Sequence, residues 1–160
     1  MRADTGSRLE DFVAFSAVAT GFAAFDLGGT GQAEVYLSTL DDIVGEEIVG
    51  DLLAAFSRVT TDPGADEAAL QRGLRREVFS DARLGPVARA LVKLWYVGTW
   101  YGLPADWREA YGENELDRTF VVSRSAYTEG LLWPAIGVNP PGAKPIGYGM
   151  WATPPNVTSS

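Results

Sequence analysis

Apolar positions recur at helical spacing through most of this chain. Leu9, Phe12, Val13, Phe15 and Ala19 mark one face over about residues 8–20. Ser7-Arg8-Leu9-Glu10 has the form of a capping box ahead of it, and Gly21 is placed to stop it. After a short connection through Phe22–Leu27, Thr30 is expected to cap a second helix carrying Val35, Tyr36, Leu40, Ile43 and Val44. Gly45 interrupts that pattern, which resumes with Ile48, Val49, Leu52, Leu53 and Phe56. Pro63-Gly64 breaks it again, and Asp66 is placed to cap a helix running to about Arg76. The last clear helix starts near Pro86, carries the stripe Val87, Leu91, Leu94 and Trp95, and ends at Gly98 or Gly102.

Within that stretch two Trp-Tyr pairs, Trp95-Tyr96 and Trp100-Tyr101, lie five residues apart. Neighbours on a helix diverge by about 100°, so one helix face cannot hide both pairs. If Trp95 packs inward, Tyr96 or Trp100 is expected to meet the C-terminal segment or another protein. Beyond Phe120 the pattern changes. Thr119–Ser123 reads as a short strand without an evident hairpin partner. From Gly130 to Ser160 there is one charge, Lys144, and six of the nine prolines. The expectation is an extended arm laid against a surface, because this stretch is too proline-rich for a helix and too apolar for a solvated tail. The sequence thus predicts an all-α fold: a compact bundle of four or five helices over residues 8–120, with an irregular Pro/Gly/Trp-rich arm over 121–160, in one domain.

Composition narrows the function. The 160 residues hold 13 Lys and Arg against 21 Asp and Glu, a net charge of −8, which disfavours nucleic acid and anionic membrane surfaces. There is no cysteine and no histidine, which removes disulfides, Cys/His zinc sites and imidazole-based triads. No apolar run is long enough to cross a bilayer, and the polar start, Met1–Gly6, has no apolar centre like a signal peptide's. That points to the cytoplasm if Met1 is the native start.

Candidate constellations are weak. Gly28-Gly29-Thr30-Gly31 looks like a phosphate loop but has no preceding apolar strand, no Gly-x-Gly-x-x-Gly spacing and no Lys-Ser/Thr pair. Asp41, Asp42, Glu46, Glu47 and Asp51 spread over two helical turns, the pattern of a solvated face. Tyr101, Asp106, Arg108, Glu109 and Tyr111 surround Trp100 and Trp107, as in a sugar-binding cleft, and helix–tail packing explains the same residues. Asn156-Val157-Thr158 fits a glycosylation acceptor. No catalytic, cofactor-binding or metal-ligating residue is predicted.

Several stretches, in order, resemble one family. Leu9-x-x-Phe12-x-x-Phe15-Ser16-x-x-Ala19-Thr20-Gly21 with Asp26-Leu27, then Leu94-Trp95-Tyr96-x-Gly98, Tyr111, Val121-Val122, Ser125-x-Tyr127 and Gly149-x-Trp151-Ala152-x-Pro154-Pro155 are similar to the small subunits of bacterial flavin-dependent sugar and polyol dehydrogenases. That family includes the small subunits of the fructose, sorbitol and glucose dehydrogenases and the related gluconate 2-dehydrogenase subunit. The resemblance implies a non-catalytic chain. A large subunit of the glucose–methanol–choline type binds FAD and oxidises the sugar. The small subunit clasps it, supports its folding and carries the twin-arginine leader that exports both to the periplasm, and a cytochrome c subunit takes the electrons onward. Trp95, Tyr96, Trp100, Tyr101, Tyr127, Trp133, Tyr148 and Trp151 are then expected at or near the partner interface. This chain departs from the family in three ways. It shows no leader, so periplasmic residence requires a leader already removed. Thr128 follows Tyr127 where the glucose-dehydrogenase small subunit has cysteine. The stretch Leu131–Gly149 is longer than the family's link. The alternative from another class is a free-standing carbohydrate-binding or scaffolding module using Trp100 and Trp107, and a third is a stand-alone enzyme with Asp, Glu and Tyr as acid and base.

Overall fold

The computed structural model describes residues 2–138, with the side chains of 2–5 left aside. It is mostly helical. The helices are α1 (Arg2–Thr20), α2 (Ala24–Gly29), α3 (Ala33–Val44), α4 (Glu46–Thr60), α5 (Glu67–Leu74), α6 (Leu84–Val97), α7 (Ala105–Tyr111), α8 (Arg124–Thr128) and α9 (Leu132–Ile136). A π-helical turn, Arg75–Phe79, extends α5. Two short strands, β1 (Thr99–Trp100) and β2 (Phe120–Val121), pair antiparallel with Thr99 opposite Val121.

The long helices α1, α3, α4 and α6 pack on one another and enclose the core. The stripe expected on α6 is the centre of it: Val87, Leu91, Leu94 and Trp95 are all buried. They face Phe12 and Phe15 of α1, Tyr36 and Leu40 of α3, and Val49 and Leu52 of α4 within one cluster. Gly45, at φ +91°, splits α3 from α4 as expected, and Asp66 caps α5 by accepting the Ala69 N–H at 2.7 Å. Gly21, at φ +81°, ends α1 with its N–H on the Ala17 carbonyl.

Several expectations need correction. The Ser7–Glu10 capping box is interior to α1, which begins at Arg2. From there Arg8 reaches α3 and grips Asp41 with two hydrogen bonds of 2.6 Å, so Asp41 is not a purely solvated residue. The connection at Phe22–Leu27 contains a helix, α2, and Thr30 closes that helix instead of opening the next: its hydroxyl donates to the Leu27 carbonyl at 2.7 Å. The strand near Thr119–Ser123 has its partner in β1, twenty residues upstream and beyond the reach of hairpin logic. The arm does not begin at 121 either. Residues 121–138 form β2, α8 and α9 folded onto the body, and α9 contains Pro134 near its start, where a missing N–H costs nothing.

Among the described residues three buried side chains, those of Ser16, Tyr36 and Trp95, have a polar atom without a hydrogen-bond partner, and the Tyr36 hydroxyl is the one that can be deleted most cleanly. The Tyr36 ring meets Trp95 edge-on at 4.8 Å, and its hydroxyl is buried with no hydrogen-bond partner. Burial pushes the hydroxyl's pKa well above the ordinary tyrosine value, and the Glu129 carboxylate adds to the shift. Tyr36→Phe is therefore expected to raise unfolding free energy by about 1 kcal/mol in denaturant titrations at neutral pH, because an unpaired buried polar group is removed. A loss of similar size would mean that the hydroxyl has a hidden partner. A pKa raised on folding gives stability that is whole below about pH 10 and drains as the unfolded tyrosine ionises above it. Wild type should lose this increment above pH 10, and Tyr36→Phe should not.

Candidate functional site

The C-terminal end of α6 explains how the two Trp-Tyr pairs are accommodated. The helix stops at Val97, and the chain turns extended at Thr99–Trp100. Helical spacing buries Trp95 at 1% exposure, and strand alternation then turns Trp100 back inward at 0%. Both tryptophans are inside this chain's own core, so neither offers a surface to a partner, contrary to expectation. Their tyrosine neighbours point the other way. Tyr96 is half-buried and Tyr101 is 53% exposed.

Around this helix end three distant stretches close on one another. Tyr96 donates its hydroxyl to the Thr20 carbonyl at 2.8 Å, across 76 positions, and its ring meets Phe22 edge-on at 5.9 Å. Gly98 is left-handed at φ +69°, and a Cβ there would sit 2.4 Å from the Ala126 carbonyl oxygen of α8. The N–H of Leu131 donates to the Trp95 carbonyl at 3.0 Å, so the α8–α9 link caps the end of α6. Ser123 caps α8 by accepting the Ala126 N–H at 2.9 Å. Trp133 donates its indole N–H to the Tyr127 carbonyl, and the two rings meet edge-on at 5.7 Å. Tyr127 is exposed and Trp133 half-buried. Tyr96→Phe, which keeps the ring and deletes the bond to Thr20, should cost about 1 kcal/mol of stability by chemical denaturation. An unchanged midpoint would mean the bond to Thr20 contributes nothing.

Of the eight expected interface residues, Tyr96, Tyr127 and Trp133 therefore share one edge, Tyr101 is exposed beyond β1, Trp95 and Trp100 are core, and Tyr148 and Trp151 lie outside the described residues. The sugar cleft weighed as an alternative is not assembled. Trp107 is buried and donates its indole N–H to the Arg83 carbonyl at 2.8 Å, while Tyr111 packs on its ring. Arg108 turns to Asp117. With Trp100 and Trp107 both enclosed, the stacking platform of the carbohydrate-binding alternative is lost.

Asp117 escaped sequence reasoning, since it stands in the polar run Glu113–Arg118. It is buried and accepts from the Trp100 indole at 2.8 Å, the Leu103 N–H at 2.9 Å and the Arg108 guanidinium at 2.8 Å. It is the polar pin that holds Trp100 inward. Gln32 was missed too; buried beside α2, it accepts from Ser123 at 3.4 Å.

Between α2 and the α8–α9 segment lies an open groove of about 510 Å³, walled by Phe22, Leu131, Trp133 and Val138, with the carboxylates of Asp26 and Glu129 on it. Among the described residues no three His, Cys, Asp or Glu side chains converge as a metal site, and no helix is long and apolar enough to cross a membrane. The Gly28–Gly31 stretch forms the end of α2 and a turn into α3, the plain structural role. Comparison with protein-family models, curated proteins and solved structures finds no match to this chain.

Proposed function

We propose that this chain is a non-catalytic accessory subunit that binds and stabilises a large FAD-dependent sugar or polyol dehydrogenase of the glucose–methanol–choline type. FAD resides in that partner, a cytochrome c subunit accepts the electrons, and the complex works in the periplasm. The observation that carries the reading is the convergence around the end of α6. Thr20-Gly21, Trp95-Tyr96-x-Gly98 and Ser125-x-Tyr127, short motifs with little meaning apart, depend on one another through the Tyr96–Thr20 hydrogen bond and the Gly98–Ala126 approach. The body is read as a compact helical bundle that presents Tyr96, Tyr101, Tyr127 and Trp133, with Tyr148 and Trp151 in an arm beyond Val138 completing the surface. Aromatic residues of this kind are enriched at the cores of protein interfaces, and stable hetero-complexes often bury more than about 2,000 Å².

Co-expression with a large FAD-dependent sugar or polyol dehydrogenase subunit of the glucose–methanol–choline type tests it. The expected product is a yellow complex near 1:1 stoichiometry by size exclusion with flavin absorbance. Replacing Tyr101 and Tyr127 together by serine should weaken that complex about tenfold, or roughly 1.4 kcal/mol, while the helical circular dichroism of the chain is unchanged. A soluble, colourless monomer that ignores the flavoprotein would overturn the reading.

A further inference from the structure

The groove between α2 and α8–α9 combines features that seldom stay open to water. Phe22, Trp133 and Val138 line it beside polar groups, and the flanking helices carry exposed apolar side chains of their own: Phe25 of α2 is 89% exposed and Ile136 of α9 57%, with Val138 at 50%. Exposed apolar side chains on the elements that flank a groove favour binding there. Two carboxylates, Asp26 and Glu129, lie on the same groove, and no lysine or arginine is among the residues lining it. Neither carboxylate has an ion pair among the described residues. The complementary occupant is an apolar, aromatic stretch of chain carrying one positive charge.

This sequence contains such a stretch, attached at the groove's own rim. The chain passes along the wall through Gly137 and Val138, and the 22 residues that follow hold Tyr148, Met150 and Trp151 with a single charge, Lys144. We propose that residues 139–160 of the same chain occupy the groove, with Lys144 set against Asp26 and Glu129 and Trp151 covering its apolar side chains. Reach is not limiting: the thirteen residues from Asn139 to Trp151 span up to roughly 45 Å when extended. Closing so short a loop costs little, because its entropy grows only with the logarithm of length. An untethered partner has no such advantage. This assignment goes beyond the accessory-subunit reading and stands without it, since it concerns the chain alone; where both hold, a partner meets the outer side of the seated arm and not the groove wall beneath it.

The test uses the full chain with the photo-reactive residue p-benzoylphenylalanine in place of Trp151, irradiated at low concentration, digested and mapped by mass spectrometry. The expected result is an intramolecular cross-link, in the monomer band, to residues 22–30 or 127–134. Lys144→Glu should lower its yield severalfold, and adding Asp26→Lys with Glu129→Lys to Lys144→Glu should restore it. A cross-link found only in covalent dimers would assign the groove to a second copy and overturn the proposal. A cross-link to another part of the body, or a yield indifferent to the charge swap, would overturn it as well.

Discussion

Gly98→Ala should cost about 3 kcal/mol of folding free energy, among the largest losses available from adding one methyl group to this chain. Two effects combine. A non-glycine residue held at φ +69° costs roughly 1–2 kcal/mol. The new Cβ would also lie 2.4 Å from the Ala126 carbonyl oxygen and 2.8 Å from the Tyr127 nitrogen, backbone atoms that can yield only if α8 moves. Overpacking of that kind adds roughly 1–3 kcal/mol. Gly31→Ala is the control, because Gly31 has nearly the same φ, +71°, and nothing within 4 Å of a Cβ. Urea titrations of both variants separate the two causes. The difference between them measures the approach of α8 to α6, and equal losses would show that this approach carries no stability.

The second large effect is expected at Asp117. Asp117→Ala leaves the Trp100 indole N–H and the Leu103 N–H without an acceptor, and both hydrogen bonds are buried. Each buried donor left unpaired costs about 1–3 kcal/mol, so the two together give a loss of about 2–6 kcal/mol. Asp117→Asn keeps the oxygen that both donors use and loses only the charged bond to Arg108, whose side chain is 33% exposed and can return to water. Its cost should be about 1 kcal/mol. Denaturation midpoints, with Trp100 fluorescence reporting release of the indole, check the order. Equal costs for the two variants would mean that Asp117 acts through Arg108 alone and does not pin Trp100.

The helices were legible because each rests on local signals. Leu91, Leu94 and Trp95 repeat at the helical period, Asp66 caps, and Gly45 and Gly98 adopt backbone angles that other residues resist. The same locality explains the misreadings. A Ser-x-x-Glu motif marks a helix start only when no turn precedes it, and Arg2–Gly6 continue the helix. The inward turn of Trp100 depends on β1 pairing with β2 and on Asp117, seventeen positions away, and neither has a signature near Trp100. Tyr96 and Tyr127 stood among eight residues expected at or near a partner interface, but that α8 meets the end of α6 follows from the close approach at Gly98, which no periodicity encodes.

By itself, then, the chain determined its helical class and where its helices stop, and it withheld cysteine and histidine chemistry, since composition and backbone preference are properties of residues and their near neighbours. Only the tertiary structure decided which aromatic rings became core and which became surface. Trp95 and Trp100 are enclosed while Tyr101 and Tyr127 remain exposed, because burial is fixed by long-range partners that local sequence does not name.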